Sequence, residues 1–344
     1  GEGQHPSDFK NTFVSLQKEN KIKIKFVQGK YNMGGSGVLP FCGSRKYQLI
    51  LSRKHPELLE DGKHDYYGFT LVRLHKATGE YKQSWYEFCT ERSGEIFSFQ
   101  SDELDLGLFE RAFYFETYIK LFNYDLPDRS DITLGLWRAL NRYLYYSALP
   151  ILLYEKRGYK GHASTKVMLG NKMRMMIDER VMKETSFPIS ISFSNVRCPG
   201  EITVFKDIVD KNEFIEKLAV IFTVNGQVHH YLSNAFIGSN AQLPYLSGSL
   251  LVNMDCTNIP VGTREELFMA SRDRMRENEI FCQLKETIAK ELKDHELLRQ
   301  LNDKRRDEKI FQNPKDEEFL QRVMSKLISQ NEEMSKLLGL SGNI

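Results

Sequence analysis

Apolar and polar positions alternate through much of the first half of the chain, the period of half-buried strands. Tyr47–Ser52, Tyr66–Leu74, Ser84–Cys89 and Glu95–Phe99 read as strands on this pattern, and Phe115–Tyr124 alternates the same way before Asp125-Leu-Pro127. Before them, Ser7 is placed to cap a helix running to about Lys18, with Phe9, Phe13 and Leu16 on one face. A helix over 131–146 and a strand over Pro150–Tyr154 follow. Further on, Pro188–Phe193, Glu201–Phe205 and Leu218–Val224 read as strands. Asn225-Gly226 is a turn dipeptide between Leu218–Val224 and His229–Phe236, and Leu246–Asp255 reads as a buried strand. The pattern then changes period: Met275, Ile280, Leu284, Ile288 and Leu292 fall at helical spacing, as do Phe319, Val323 and Leu327. The reading is α+β, with strand-rich blocks over 1–155 and 160–275, a polar Gly- and Lys-containing boundary at Glu155–Ser164, and a helical segment over 276–344.

Composition changes this picture little. Net charge is +2 from 48 basic and 46 acidic residues, which gives no general attraction to nucleic acid or to a membrane surface. The five cysteines are scattered without a CxxC pair, which fits a reducing cytoplasmic setting and argues against a disulfide framework or a structural zinc site. No apolar run is long enough to span a membrane. Lys304-Arg305-Arg306 lies among Asp303, Asp307 and Glu308, the composition of a solvated helix face.

The chemistry-bearing segment is Val27 to Leu39. Gly29, Gly34, Gly35 and Gly37, with Lys30 among them, allow a backbone to approach a ligand closely, and its N–H groups suit phosphate. Lys30 is a candidate γ-phosphate contact or one of several solvated lysines. Ser36 caps the following short helix or adds a hydroxyl to the phosphates, and Gln28 is a candidate for the same end. Two companions strengthen the segment: Gly1-Glu-Gly3 near the start of the chain, and Thr117 on a later strand.

In that order of elements the chain resembles the GHKL superfamily of ATPases (gyrase, heat-shock chaperone, histidine kinase and MutL type) with the Bergerat nucleotide fold. It is similar to bacterial ATP-binding proteins of that superfamily. The resemblance implies that Gly1 and Gly3 belong to the adenine box, Lys21 to Lys30 to a lid, and Gly29, Gly34, Gly35 and Gly37 to the phosphate loop. It further implies that Thr117 stands in the Gly-Thr pair of a central strand, where Glu116 departs from the family. A transducer-like second domain over 160–275 follows by order of elements. The catalytic Glu, the magnesium-holding Asn and the adenine-binding Asp would all precede Gly1, so the chain is expected to be an N-terminally truncated ATP-binding portion, inactive alone. ATP and Mg2+ are the implied cofactors, with homodimerisation on nucleotide binding.

Arg272-Asp-Arg274 has two readings: a γ-phosphate sensor of the kind the superfamily's transducer offers, or an Arg–Asp network tying the last helices to the sheet. Asp255-Cys256-Thr257 reads as a turn or cap. His229-His230 point to opposite faces of a strand and make a poor metal pair, so packing is their expected role and no metal site is expected. No Ser/His/Asp or Cys/His arrangement has a local signature. The rival functional readings are a non-catalytic module that binds a protein partner through the helices after Met275, and a DNA-handling protein of repair or phage defence.

Overall fold

The computed structural model describes residues 1–15, 33–80, 82–107, 112–125, 131–158, 164–179, 181, 186–206, 211, 214–269, 274–311, 323 and 326. The fold is α+β, and the chain divides into two compact units, Gly1–Asp131 and Ile132–Ile344.

The first unit is built on an antiparallel sheet of β1 (Gln48–Arg53), β2 (Tyr67–His75), β3 (Trp85–Phe88), β4 (Phe97–Phe99) and β5 (Glu116–Leu121). β1 lies between β2 and β5, while β3 and β4 share the far side of β2. The central strand is apolar on both faces because both are covered. Ile50 and Val72 pack with Phe9 and Leu39 on one side, and Leu51 packs with Tyr67 and Phe113 on the other. Pro6 lies over Gly68, where a Cβ would come within 2.8 Å of the proline ring. The opening helix is a 3₁₀ turn, Pro6–Asn11, capped by the His5 side chain, which accepts from the Ser7 amide. Pro6 fixes the first helical position, so the cap falls on the residue before it and Ser7 lies inside the turn.

The second unit opens with a π-helical turn, Ile132–Leu136, leading into α2 (Trp137–Arg142); α1 (Met33–Gly37) belongs to the first unit. A hairpin of β6 (Ile151–Tyr154) and β7 (Thr165–Met168) then leads to α3 (Gly170–Ile177). The Glu155–Ser164 segment that reads as a boundary lies within this hairpin, whose ends are tied by the Glu155 amide donating to the Ser164 carbonyl. A polar, glycine-containing connection has the same composition whether it joins domains or strands.

The main sheet has the order β11–β10–β12–β9–β8. Its strands are β8 (Phe187–Phe193), β9 (Val196–Val204), β10 (Leu218–Val224), β11 (Gln227–Ser233) and β12 (Leu250–Asp255), and only β10 and β12 run parallel. Every residue of β10 is buried, since both faces of the sheet are covered. β9 begins ahead of the expected Glu201, running through Pro199-Gly200. A Cβ on Gly200 would lie 2.6 Å from the Asn253 carbonyl, so the glycine permits close approach to β12. Likewise β11 ends at Ser233, and Asn234–Ser239 turns into a helix, α4.

After α5 (Val261–Leu267) come α6 (Glu279–Asp294) and α7 (Glu296–Phe311). Phe281, Leu284, Ile288 and Leu292 of α6 are wholly buried in the cluster formed with Ile191, Phe222 and Val252 of the sheet. The apolar stripe of this helix is therefore occupied by the protein's own sheet. Arg305 of α7 donates to the Phe205 carbonyl, while Arg306 pairs with Asp303 and Asp307, and Lys304 with Glu308. That cluster is an ion-paired helix face with one docking arginine. Phe319 and Leu327 lie outside the described residues.

Candidate functional site

The register of β1 with β5 places Ser52 opposite Thr117 and Gln48 opposite Leu121. At the first of these ends three segments meet. The Gln4 amide donates to Ser52 Oγ at 2.8 Å, Ser52 Oγ donates to the Glu116 carbonyl at 2.7 Å, and the Ser52 and Thr117 hydroxyls are 2.9 Å apart. With the Ser52 proton directed at the Glu116 carbonyl, Thr117 is the donor of the hydroxyl pair, and its oxygen keeps acceptor capacity at an exposed position. Gly3 completes the junction at φ +65°, where a Cβ would fall 1.7 Å from the Arg53 carbonyl oxygen. Packing against β1 thus demands glycine at position 3. Gly1 is exposed and meets nothing within 4 Å.

The glycines that follow behave differently. Gly34, Gly35 and Gly37 lie in α1, a single helical turn rather than an open loop, and none has positive φ. A Cβ on Gly34 or Gly37 would meet nothing within 4 Å, and one on Gly35 would lie 3.9 Å from the Phe13 carbonyl, ordinary contact. Glycine in a helix is destabilising by roughly 0.5–1 kcal/mol relative to alanine. Among the described residues, neither backbone geometry nor packing requires these three. Gln48 Nε2 donates to the Gly35 carbonyl at 3.3 Å and anchors the turn at the start of β1. Ser36 is half-buried.

Thr117, Ile119 and Leu121 share one face of β5, the face of Ser52, Ile50 and Gln48 on β1. On β1 this face is covered, but on β5 Thr117 and Ile119 are exposed, Ile119 by 44%. An uncovered strip therefore runs along β5 from the Thr117 end toward the end that anchors the glycine turn. Four residue steps along the strand span about 13 Å.

Sequence reasoning did not single out Ser52 or Arg53. Arg53 binds Asp65 through Nε and an Nη, both at 2.7 Å, and also reaches Tyr67 and the carbonyls of Ser101 and Asp102. Hydrogen bonding to Arg53 holds the Asp65 carboxyl below its usual range. This is a structural clamp under the site; its only local signal is a Ser-Arg pair closing an apolar run.

Gln28, Gly29, Lys30 and Arg272 lie outside the described residues. Arg274 lies in the second unit, exposed, in the turn that closes the Phe268–Met275 bridge, with Nε 3.2 Å from Met269 Sδ. Asp255 forms the expected turn, its carboxylate accepting from the Thr257 amide and hydroxyl. His229 packs edge-on to Phe268, and His230 stacks on Phe222, the packing role expected of both.

The thiols of Cys198 and Cys256 lie 3.7 Å apart in the core; the hydrogen bond with Cys198 and then burial push Cys256 well above the ordinary thiol range, so Cys256 is an unreactive packing group. Among the described residues no group of three His, Cys, Asp or Glu is arranged to hold a metal ion, and no helix is long and apolar enough to cross a membrane. No protein-family model matches the chain, and a search of curated proteins finds no match.

Proposed function

We propose that the first unit binds a nucleoside triphosphate, ATP accompanied by Mg2+, along the open face of β5, in the manner of the GHKL superfamily that the sequence resembles. The observation that carries this reading is the glycine turn Met33–Gly37. Three glycines weaken a helix that, among the described residues, has room for side chains at each of them, so no described contact accounts for glycine there. Close approach of a phosphate chain to backbone N–H groups supplies a reason. The meeting of Gly3, Ser52 and Thr117 at the other end of the strip supports it. There the exposed Thr117 hydroxyl keeps acceptor capacity for an adenine amino group, and exposed Ile119 offers an apolar surface to the base.

Magnesium enters as the counter-ion of the triphosphate, and no step is assigned to it. Dimerisation on nucleotide binding belongs to the same proposal, and hydrolysis belongs to it only for a longer protein that carries the catalytic Glu and the magnesium-holding Asn.

Titration of the chain with ATP and Mg2+ in a calorimeter tests the reading. Saturable one-site binding is expected, with Thr117→Val about ten-fold weaker and its melting temperature nearly unchanged, since one hydroxyl contact is worth about 1 kcal/mol. Absence of heat from ATP, or equal affinity in Thr117→Val, would overturn it.

A further inference from the structure

The second unit contains a cavity of about 300 Å³ that the nucleotide reading does not use. It opens beside α3 over β9, on the face of the main sheet that carries Glu201 and Thr203. One wall is apolar and sulfur-rich, formed by Met175 and Met176. The other is polar. Glu201 Oε2 accepts from the Tyr145 hydroxyl at 3.0 Å and from Lys172 Nζ at 2.9 Å. Both donors converge on the same oxygen. Among the described residues nothing donates to Glu201 Oε1, and Lys172 uses one of its three N–H groups on the carboxylate. Thr203 adds a hydroxyl to the lining.

The pair thus presents an acceptor beside a cationic donor at a site whose formal charges cancel. A phosphate or a free carboxylate gains nothing from such a site without breaking the ion pair. An amino-acid zwitterion would have to separate Lys172 from Glu201 to satisfy both its ends. A neutral edge with an N–H next to a carbonyl can instead bridge them as they stand, its N–H donating to Oε1 and its carbonyl accepting from the ammonium. Methionine walls favour a flat aromatic body, through sulfur–ring contacts along its edge and face. A volume of 300 Å³ suits a single ring system.

We propose that this cavity binds a lactam-bearing heterocycle, a guanine- or uracil-type base, read by Glu201 and Lys172 and packed against Met175 and Met176. It is independent of the ATP proposal, since it lies wholly in the second unit.

The test uses the whole chain and four probes observed by ligand-detected NMR: guanosine, uridine, 3-methyluridine and L-leucine. Guanosine and uridine are expected to bind, and 3-methyluridine, which lacks the N–H, to bind severalfold more weakly, since Glu201 Oε1 then loses its donor at a half-buried position. Glu201→Gln keeps the shape but points an amide where the acceptor stood, and is expected to weaken uridine by about ten-fold. Should Glu201→Gln fail to fold, Met176→Ala, at a residue 61% exposed, tests the same wall with little risk to stability and should weaken guanosine severalfold. Equal binding of uridine and 3-methyluridine, displacement of guanosine by L-leucine, or no binding of either nucleoside would each overturn the proposal.

Discussion

Lys211→Met is expected to stabilise the second unit by about 2–4 kcal/mol at pH 7, the largest gain any single substitution should give here. Lys211 is wholly buried, its amine donating to the Asn234 side-chain carbonyl, and burial lowers its pKa from 10.5 to about 7. A folded state that binds the proton less tightly than the unfolded chain loses stability as pH falls between those values. Above 10.5 both states are neutral and the lysine costs little; at and below pH 7 the penalty is complete. The advantage of methionine should therefore be full at pH 6–7 and narrow steadily toward pH 10, offset by about 1 kcal/mol for the Asn234 acceptor left unpaired. Urea midpoints of both proteins across this range check it. A gap that does not change with pH, or a methionine variant less stable throughout, would refute the assignment.

Gly226→Ala should act in the opposite direction, destabilising the second unit by about 3 kcal/mol. Asn225 and Gly226 form the turn between β10 and β11 with φ of 50° and 77°, both in the left-handed region. A Cβ on Gly226 would fall 2.4 Å from the Tyr146 carbonyl oxygen and 2.7 Å from its ring. The carbonyl is backbone, and the Gly226 carbonyl itself accepts from the Tyr145 amide, so neither side can retreat without breaking that contact. Gly158 is the internal comparison: its φ is +66°, yet nothing lies within 4 Å of its Cβ position. Gly158→Ala should cost only the conformational share, about 1 kcal/mol. Equal losses in the two variants, measured by thermal or urea unfolding, would show that the Tyr146 contact carries no weight.

Such contrasts show which parts of this molecule are legible in its sequence. The strands were readable where apolar residues alternate, as in β2 and β8, or run together, as in β1, β10 and β12, and all five lie close to their expected spans. The turn at Asn225-Gly226 was readable for the same local reason, since only two positive-φ residues close such a hairpin. Short elements gave no such signal. Thr165–Met168 is four residues long, and Gly170–Ile177 mixes lysine, arginine and methionine without a clear stripe, so the β6–β7 hairpin and α3 passed as connection.

The candidate site was half legible. Gly3 and Thr117 were named from motif order, but the hydroxyl that joins them belongs to Ser52, which the β1–β5 register brings there from 65 residues away. Long-range register has no local signature. Lys211 is a second case: its neighbours Asp210 and Asn212 suggest a solvated loop, and only the tertiary packing of Phe214 and Ile215 beside it turns the position inward. The glycine turn stands out in the sequence, yet among the described residues Gly34, Gly35 and Gly37 serve neither positive φ nor tight packing.

That last point is where the account is most exposed. Alanine at both Gly34 and Gly37 should stabilise α1 by up to about 1 kcal/mol per site, because helix propensity improves and open space receives the methyl groups. If the turn receives the phosphates of a nucleotide, the same two methyl groups intrude on the ligand. Calorimetric titration of ATP and Mg2+ into the Gly34→Ala, Gly37→Ala double variant, with its melting temperature recorded alongside, therefore tests the central claim directly. The account predicts an affinity at least about ten-fold weaker than that of the parent chain together with a melting temperature equal or higher. An affinity equal to that of the parent in an equally stable protein would contradict it.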